Sequence, residues 1–440
     1  MGSAVNTRMN SRDLSKIIGV STFGTFIEWY DFFLSGSAAV LVWPFIFFES
    51  LGPVFASIVS ISTFSIGLVS RPIGSFIFGH YGDKRGRKFT MVIDLLVMGV
   101  GSLIIGLVPP ETSIGILGGI LIIAMRLVQG LGIGGDWGGA ATWTMEASEG
   151  YNRRGFLSSI FQLAVPFGLI TSSTIFTYLL VTMPSSSFLS YGWRIPYFIG
   201  FAVAIFGVVA RYVTMESPIF NKVVTENKIE RLPSVTIFKK YPKKVLILTI
   251  AAWFNTATFY FVAVFGVEFL VAFGFKSSFA SSTVIYAGIG IIPAIIISGY
   301  LSDKVGRKPI VFIGALLGAL LVFPAVFMMT FHNLLLGYLS QIILLFFGYG
   351  FGYGALSPYI SENFPARFRY SGSALAYNIG APLAGGVVPV VSAVILGIYA
   401  ENALRAWPYI ALVVLAYDLA SAIAVLATKE TKGEKLTEEV

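Results

Sequence analysis

The chain has 440 residues, of which 56% are hydrophobic and only 12% are charged, and its mean hydropathy is +0.81. Soluble domains carry about 25% charged residues, so this composition excludes a water-soluble globular protein and predicts a membrane protein. The formal net charge is +8, but the cations lie in short loops between apolar segments, which excludes a nucleic-acid-binding face. Cysteine is absent, which excludes disulfide and thiol chemistry.

Twelve apolar segments follow one another along the chain, each about 20 residues or longer and therefore able to cross a bilayer. All are predicted to be helices, because lipid cannot satisfy free backbone polar groups. The chain is therefore predicted to be an all-α membrane protein. The segments lie approximately at 16–45, 53–79, 89–109, 113–147, 155–183, 191–215, 244–272, 279–302, 309–331, 333–360, 368–399 and 405–428.

The longest polar stretch lies at the centre and separates two sets of six segments. We predict an N-terminal six-helix half at 1–215, a cytoplasmic linker at 216–243, and a C-terminal six-helix half with a short cytoplasmic tail at 244–440. Most of the 30 Lys and Arg residues lie in the termini, the linker and every second loop. Because positive loops stay in the cytoplasm, both termini are predicted to be cytoplasmic in a multi-pass plasma membrane protein.

A short basic hairpin at residues 79–88 (GHYGDKRGRK) follows the second segment and returns at residues 299–308 as GYLSDKVGRK. The two copies are half a chain apart and share their Asp-Lys and Gly-Arg-Lys positions. Glycines at 130, 132 and 134 recur in the same way at 350, 352 and 354. This repetition indicates a duplicated membrane bundle.

These motifs resemble those of the major facilitator superfamily. Both hairpins match its loop signature G-x-x-x-D-x-x-G-R-K/R, and RLVQG at 126–130 matches its fourth-helix R-x-x-Q-G. Residues 24–36 (GTFIEWYDFFLSG) and 134–140 (GGDWGGA) are similar to its metabolite:proton symporter family, whereas ESP at 216–218 and KETKG at 429–433 resemble sugar-porter boundaries. The resemblance implies twelve helices in two pseudo-symmetric halves, alternating access to a central site, and carboxylate or zwitterionic substrates.

Ionisable residues inside the spans are costly and are therefore candidates for function. Asp31 and Arg126 both fall near the middle of their helices, about 15 and about 13 residues in. We predict that they neutralise each other, and that proton uptake by Asp31 releases Arg126 to a substrate carboxylate. Glu28 shares a helix face with Asp31 and is assigned to the same proton coupling. The alternative is a permanent structural pair. The other acids in the spans are Asp94 and Glu268, expected near the membrane faces, Asp136, and Asp418, expected on a peripheral helix.

Substrate contacts are predicted at Arg126 and at polar side chains expected to line the central cavity. For each of the latter the alternative is a hydrogen bond between helices. These candidates are Tyr30, Gln162, Asn255, Tyr377 and Asn378, with Tyr286 as a further lining residue.

The hairpins are predicted to form a cytoplasmic gate. An Asp at a helix end can accept hydrogen bonds from backbone amides at a facing helix N-terminus while it holds a nearby Arg. Asp136 is expected to pair with Arg87 and Asp83. The predicted gate residues are Asp83, Arg87, Asp136, Glu146, Asp303, Arg307 and Glu362.

Several other site classes are not indicated. Gly130-x-Gly132-x-x-Gly135 matches a dinucleotide fingerprint, but it lies in a spanning segment with no preceding strand, so no cofactor is predicted. The two histidines, His80 and His332, fall near opposite membrane faces, so no metal site is predicted. No catalytic constellation and no ATP-binding motif is present, which argues against an enzyme and against ATP drive.

The sequence thus predicts a monomeric secondary active transporter that couples a proton to a small organic carboxylate or zwitterion. Asn255 and Phe346 replace Asp31 and Arg126 in the second repeat, which assigns proton coupling to the N-terminal half. A sugar:proton symporter, a transporter-like nutrient sensor and a drug exporter are the alternatives. Sugar porters carry glutamines where this chain has Thr249, Ile250 and Leu169. The expected partners are the substrate, protons and the lipid bilayer, and no nucleic acid.

Overall fold

The structure is a computed structural model in which residues 10–213, 216, 232–434 and 436 are described. Apart from turns and short connections these residues are helical, and no strand occurs among them. Eleven described helices are long and apolar enough to cross a membrane, and the twelfth, 31 residues long, carries Glu28 and Asp31 in its interior. The helices are α1 (Ser11–Leu41), α2 (Pro53–Arg85), α3 (Arg87–Leu107), α4 (Leu117–Ala147), α5 (Arg154–Thr182), α6 (Gly192–Tyr212), α7 (Pro242–Ala272), α8 (Ser277–Val305), α9 (Arg307–Met329), α10 (Leu334–Ser361), α11 (Ala366–Ile398) and α12 (Ala403–Leu426).

This is the predicted all-α membrane fold, with twelve helices in two pseudo-symmetric halves, α1–α6 and α7–α12. Within the predicted linker at 216–243, a short helix spans Pro233–Lys240, while residues 217–231 lie outside the described residues. The predicted boundaries between the halves and the linker therefore stay predictions.

The basic hairpins are more helical than the sequence suggests. α2 continues to Arg85, and α3 begins at Arg87, so a single residue, Gly86, connects the two helices. Gly86 has φ of 113° and its counterpart Gly306, between α8 and α9, has φ of 115°. A backbone in this region is accessible mainly to glycine. Each hairpin is thus two helix ends joined at one glycine, and each Asp lies in the last turn of its helix.

Five helices are interrupted in their interiors. The α-helical pattern breaks at Ser70 in α2 and at Leu163 in α5. α7, α10 and α11 contain wider π-type turns at Phe261–Phe265, Leu344–Gly350 and Ala381–Gly386. Such turns are frequent at functional sites, because they redirect the side chains that follow them.

The two halves meet mainly where α2 and α4 pack against α11 and where α5 packs against α8 and α10. Small residues bring the helices close together. A side chain at Gly138 would overlap Ala374 of the other half, and one at Gly299 would overlap Ser159. Small residues at helix crossings allow close backbone approach without a large hydrophobic driving force.

Candidate functional site

The face of the bundle that carries the Gly86 and Gly306 turns, here called the hairpin face, is closed by contacts between the halves. Asp83 Oδ2 accepts hydrogen bonds from the backbone N (2.9 Å) and Oγ (2.7 Å) of Ser371 in α11. Arg87 lies 3.4 Å from Asp83 and 3.3 Å from Glu146. Glu146 in turn faces Arg369 of the other half at 3.5 Å. The sequence predicts this carboxylate-to-backbone contact, and the structure confirms it.

The second repeat makes the equivalent contacts in the opposite direction. Asp303 accepts from the backbone N of Gly155 and of the next residue, both at 2.8 Å, where α5 begins in the N-terminal half. Arg307 lies 2.7 Å from Asp303 and 3.4 Å from Glu362. Glu362 faces Arg154 of the first half at 3.6 Å. Each half therefore contributes an aspartate and a glutamate that contact the other half.

Two further glutamates cap the helices that leave the hairpins. Glu216 accepts from the first two backbone amides of α3, both at 3.2 Å. Glu430 accepts from the first two amides of α9, at 2.8 and 3.0 Å. An anion at a helix N-terminus satisfies otherwise unpaired N–H groups. Both residues lie in the boundary motifs of the sequence, which gave no indication of this role.

Asp136 is not part of the hairpin contacts, so its predicted pairing with Arg87 and Asp83 is wrong. It forms an ion pair with Arg211 of α6 and accepts a hydrogen bond from Thr25 Oγ1 at 2.7 Å. The physical reason is depth. Asp136 lies deeper in α4 than the hairpin, level with a buried cation that the sequence reading left unassigned.

Glu28 and Asp94 belong to the same buried group, which we call the Arg211 cluster (Glu28, Asp94, Asp136 and Arg211). Glu28 Oε1 lies 3.6 Å from Arg211 Nη1. Asp94 is fully buried and interacts electrostatically with Asp136 and Arg211, and its expected position near a membrane face stays a prediction. Gly24 makes room for the guanidinium, because a Cβ at that position would overlap it. The cluster holds three acids around one cation inside the N-terminal half.

Asp31 and Arg126 come together as expected, but through a third residue. Gln129 Nε2 donates to Asp31 Oδ2 at 2.7 Å, and Gln129 Oε1 accepts from Arg126 Nη1 at 2.7 Å. Ser102 also donates to Asp31, and Arg126 Nη2 donates to the Phe64 carbonyl at 3.4 Å. Within the described residues no direct ion pair joins the two charges, and their predicted mutual neutralisation stays a prediction. All four side chains are buried.

Three of the predicted substrate residues meet at the interface of the halves, in what we call the central cluster (Trp137, Gln162, Asn255, Tyr353 and Tyr377). The indole of Trp137 stacks on Tyr377 with ring centroids 3.9 Å apart and donates to Tyr353 OH (3.1 Å) and Gln162 Oε1 (3.3 Å). Tyr377 OH donates to Asn255 Oδ1 at 3.1 Å. The cluster joins five helices of both halves. The sequence reading missed Trp137 and Tyr353, although Trp137 lies in the GGDWGGA motif.

The other predicted substrate residues lie elsewhere. Tyr30 points toward α6, where its hydroxyl donates to the Pro196 carbonyl at 2.9 Å. Asn378 donates to the Gly134 carbonyl of the opposite half at 3.0 Å, which is a closing contact. Tyr286 is 51% exposed on the outside of the bundle, so its assignment to the cavity is wrong. The position of a residue in the sequence gives its depth along a helix. The direction in which its side chain points depends on how the helices pack, which the sequence alone does not give.

Arg71 is a charged residue at the interface that sequence reasoning missed. Its side chain is completely buried, with the guanidinium carbon 4.5 Å from the ring centre of Phe32 and 5.2 Å from that of Trp29. Nη2 donates to Tyr260 OH of the other half at 3.2 Å. Nε and Nη1 have no hydrogen-bond partner among the described residues. The sequence does contain a signal for this residue, because an arginine in the interior of an apolar segment, here just after Ser70, is costly and therefore a candidate for function.

On the face opposite the hairpins a cavity of about 780 Å³ opens between the halves. It is lined by α1 and α2 from one half and by α7 and α11 from the other. Glu268 lies at this cavity and accepts from Ser57 Oγ across the interface at 2.6 Å. The halves are therefore joined by many contacts at the hairpin face, whereas this cavity lies between them at the opposite face; none of the central-cluster residues lines the cavity.

A family model described as Major Facilitator Superfamily matches residues 22–389. The chain is 34% identical to the inner membrane metabolite transport protein YhjE of Escherichia coli K12, over 98% of this chain and 97% of that one. It is 28% identical to the shikimate transporter of the same organism over 93% of each. Among solved structures, the proton:xylose symporter XylE bound to 6-bromo-6-deoxy-D-glucose superposes with a TM-score of 0.76 over 98% of this chain and 99% of that one. At 19% identity this last similarity concerns the fold.

Proposed function

The chain belongs to the major facilitator superfamily and is a multi-pass membrane transporter, not an enzyme, and we propose that it carries a small organic carboxylate or zwitterion together with a proton. The observation that carries this proposal is the bridge from Asp31 through Gln129 to Arg126. A buried carboxylate and a buried guanidinium are expensive unless they compensate each other. Protonation of Asp31 would cancel its charge and leave the positive charge of Arg126 without compensation. A substrate carboxylate arriving at the centre would then restore the balance.

The names of the relatives support the substrate class. One relative is a shikimate transporter, and another, 27% identical over 88% of this chain, is the proline/betaine transporter of Escherichia coli. Shikimate carries a carboxylate, and proline and betaine are zwitterions with one carboxylate. The buried guanidinium groups of Arg71 and Arg126 suit this shared chemical group.

We further propose that transport proceeds by alternating access, with the halves 1–215 and 244–440 rocking about the central cluster. The cavity on the opposite face corresponds to one access route, and rupture of the hairpin-face contacts would open the other. We assign the hairpin face, the predicted gate and both termini to the cytoplasm of a plasma membrane protein, because cations concentrate in the loops on that side. We assume a monomer, since one chain forms the whole central cluster.

Sugar:proton symport is the main alternative. Hexose recognition needs many side-chain amides to pair with hydroxyl groups. At two of the positions where the sugar porters carry glutamine, Leu169 is buried and Thr249 donates to the Ala376 carbonyl. These residues offer no free amide to a sugar, which favours the carboxylate over the hexose.

The proposal is tested by uptake into proteoliposomes with an imposed pH gradient. Radiolabelled shikimate, L-proline and D-xylose are compared with and without a protonophore. We expect accumulation of a carboxylate-bearing compound that collapses when the protonophore is added. Accumulation of xylose alone would favour the sugar symporter, and accumulation insensitive to the protonophore would contradict proton coupling.

A further inference from the structure

The Arg71 guanidinium is an incompletely satisfied cation at the interface between the halves. A guanidinium carries five N–H donors in a planar fork. Only the bond from Nη2 to Tyr260 OH is recorded, and the fork edge formed by Nε and Nη1 has no partner among the described residues. No carboxylate lies within ion-pair distance of Arg71 in the described structure. An unpaired buried cation is unfavourable, and the rings of Phe32 and Trp29 compensate for it only partly.

Arg126 differs from Arg71 in its hydrogen bonds. Both guanidinium carbons lie near the ring centre of Phe32, at 4.5 Å for Arg71 and 4.7 Å for Arg126. Arg126 uses Nη1 to hold Gln129 and Nη2 to hold the Phe64 carbonyl. Nη1 therefore belongs to the Asp31 bridge, and Nη2 is bonded within the same half. Nε of Arg126 also has no hydrogen-bond partner among the described residues, but Arg71 has two such nitrogens, Nε and Nη1, which form a whole edge of its guanidinium.

The position of Arg71 also suits a ligand that enters between the halves. It is held in α2 by the N-terminal half, while its bonded partner Tyr260 belongs to α7 of the C-terminal half. Any separation of α2 from α7 breaks this bond and frees Nη2. A phenol is a neutral acceptor, and a carboxylate makes stronger, charge-assisted bonds to the same fork.

We propose that Arg71, not Arg126, binds the carboxylate of the substrate. The substrate then carries a single carboxylate, at the end that enters the Arg71 site. This inference rests on the proposed function. In the described part of the C-terminal half the buried arginines, Arg307 and Arg369, are engaged at the hairpin face. A second carboxylate would therefore meet the rings and amides of the central cluster instead of a cation. Monocarboxylates are expected to bind more tightly than dicarboxylates of similar size.

The test is binding to the purified full-length protein, measured by thermal shift and calorimetry. The probes are propionate, shikimate and L-proline, each paired with its primary amide, together with succinate and D-xylose. We expect at least one acid, and not its amide, to bind to the wild-type protein. Arg71→Gln should weaken this binding on the order of 10- to 100-fold, because charged hydrogen bonds are lost, and Arg71→Lys should lie in between. Arg405→Gln, which removes an exposed cation on the opposite face, should bind like the wild type.

A second variant covers the case in which Arg71→Gln does not fold. Tyr260→Phe keeps the guanidinium and removes the only hydrogen-bond partner that it has among the described residues, so acid binding should persist or strengthen while amide binding stays absent. Loss of acid binding in Tyr260→Phe, or equal acid binding in Arg71→Gln and wild type, would overturn the inference and leave the proposed function intact. Binding of D-xylose with no binding of any acid would reject both.

Discussion

Asp31 and Arg126 are connected by the side-chain amide of Gln129, with hydrogen bonds of 2.7 Å on each side. An amide donates from its nitrogen and accepts at its oxygen, so its orientation is set by the carboxylate on one side and the guanidinium on the other. A change in the charge of Asp31 therefore alters the hydrogen bond that Gln129 Oε1 can accept from Arg126. In the proposed mechanism this bridge is the physical route from a proton on Asp31 to the guanidinium of Arg126.

Gln129→Leu tests whether the bridge is needed for coupling. The variant loses both hydrogen bonds to charged groups, each of which contributes about 1.5–3 kcal/mol. We expect accumulation driven by a pH gradient in proteoliposomes to fall on the order of tenfold, and exchange without a gradient to fall less. The matched control is Gln341→Leu, which changes a buried glutamine whose amide makes no hydrogen bond within the described part of the chain. Accumulation at the wild-type level in Gln129→Leu would exclude the bridge from coupling.

Asp83→Asn tests the closure of the hairpin face. It replaces a charged acceptor of two Ser371 hydrogen bonds with a neutral one and is expected to shift the protein toward opening at this face. The chain has no cysteine, so a single Ala374→Cys, packed against Gly138 when closed, reports the opening through labelling by a membrane-impermeant maleimide.

Labelling of Ala374→Cys should rise on the order of tenfold with Asp83→Asn, a gain that corresponds to one charged hydrogen bond. Asp303→Asn, the equivalent change in the second repeat, should act in the same direction. Glu401→Gln, an exposed acid on the opposite face, should leave labelling unchanged. If neither aspartate variant changes the labelling, the hairpin contacts do not control the opening of this face.

Arg211→Gln tests the Arg211 cluster. Removing the cation leaves Glu28, Asp94 and Asp136 buried without a counter-charge, which should destabilise the fold by about 3–5 kcal/mol. We expect a lower melting temperature in detergent, with partial recovery when Asp136→Asn is added. Arg405→Gln should melt like the wild type. A melting temperature of Arg211→Gln equal to that of the wild type would show that the cluster does not stabilise the N-terminal half.

Features fixed by local motifs could be predicted from the sequence, whereas pairings between distant helices could not. The repeated Asp, Gly and Arg positions of the hairpins led to the backbone contacts of Asp83 and Asp303, because each motif contains both the helix end and its acid. The depth of each residue along its helix predicted that Asp31 lies close to Arg126. Depth could not reveal that Gln129 lies between them, since this depends on how α1 and α4 are rotated about their axes.

The same limit explains the missed cations. Arg71 lies in the interior of an apolar segment and Arg211 in the last turn of α6, and their partners come from α7, α1 and α4. Because the sequence does not show those partners, it led to the prediction that Asp136 pairs with Arg87 of the first hairpin. The π-type turns of α7, α10 and α11 were not predicted either, because hydrophobic content alone does not reveal one extra residue in a helical turn.

Asp31→Asn in proteoliposomes tests proton coupling most directly. The substitution keeps the size of the side chain and removes its ability to ionise, while Ser102 and Gln129 retain an oxygen to which they can donate. Exchange of labelled for unlabelled substrate should continue at a rate close to that of the wild type, and accumulation driven by a pH gradient should vanish. Accumulation by Asp31→Asn that equals the wild type would contradict the assignment of Asp31 as the coupling residue.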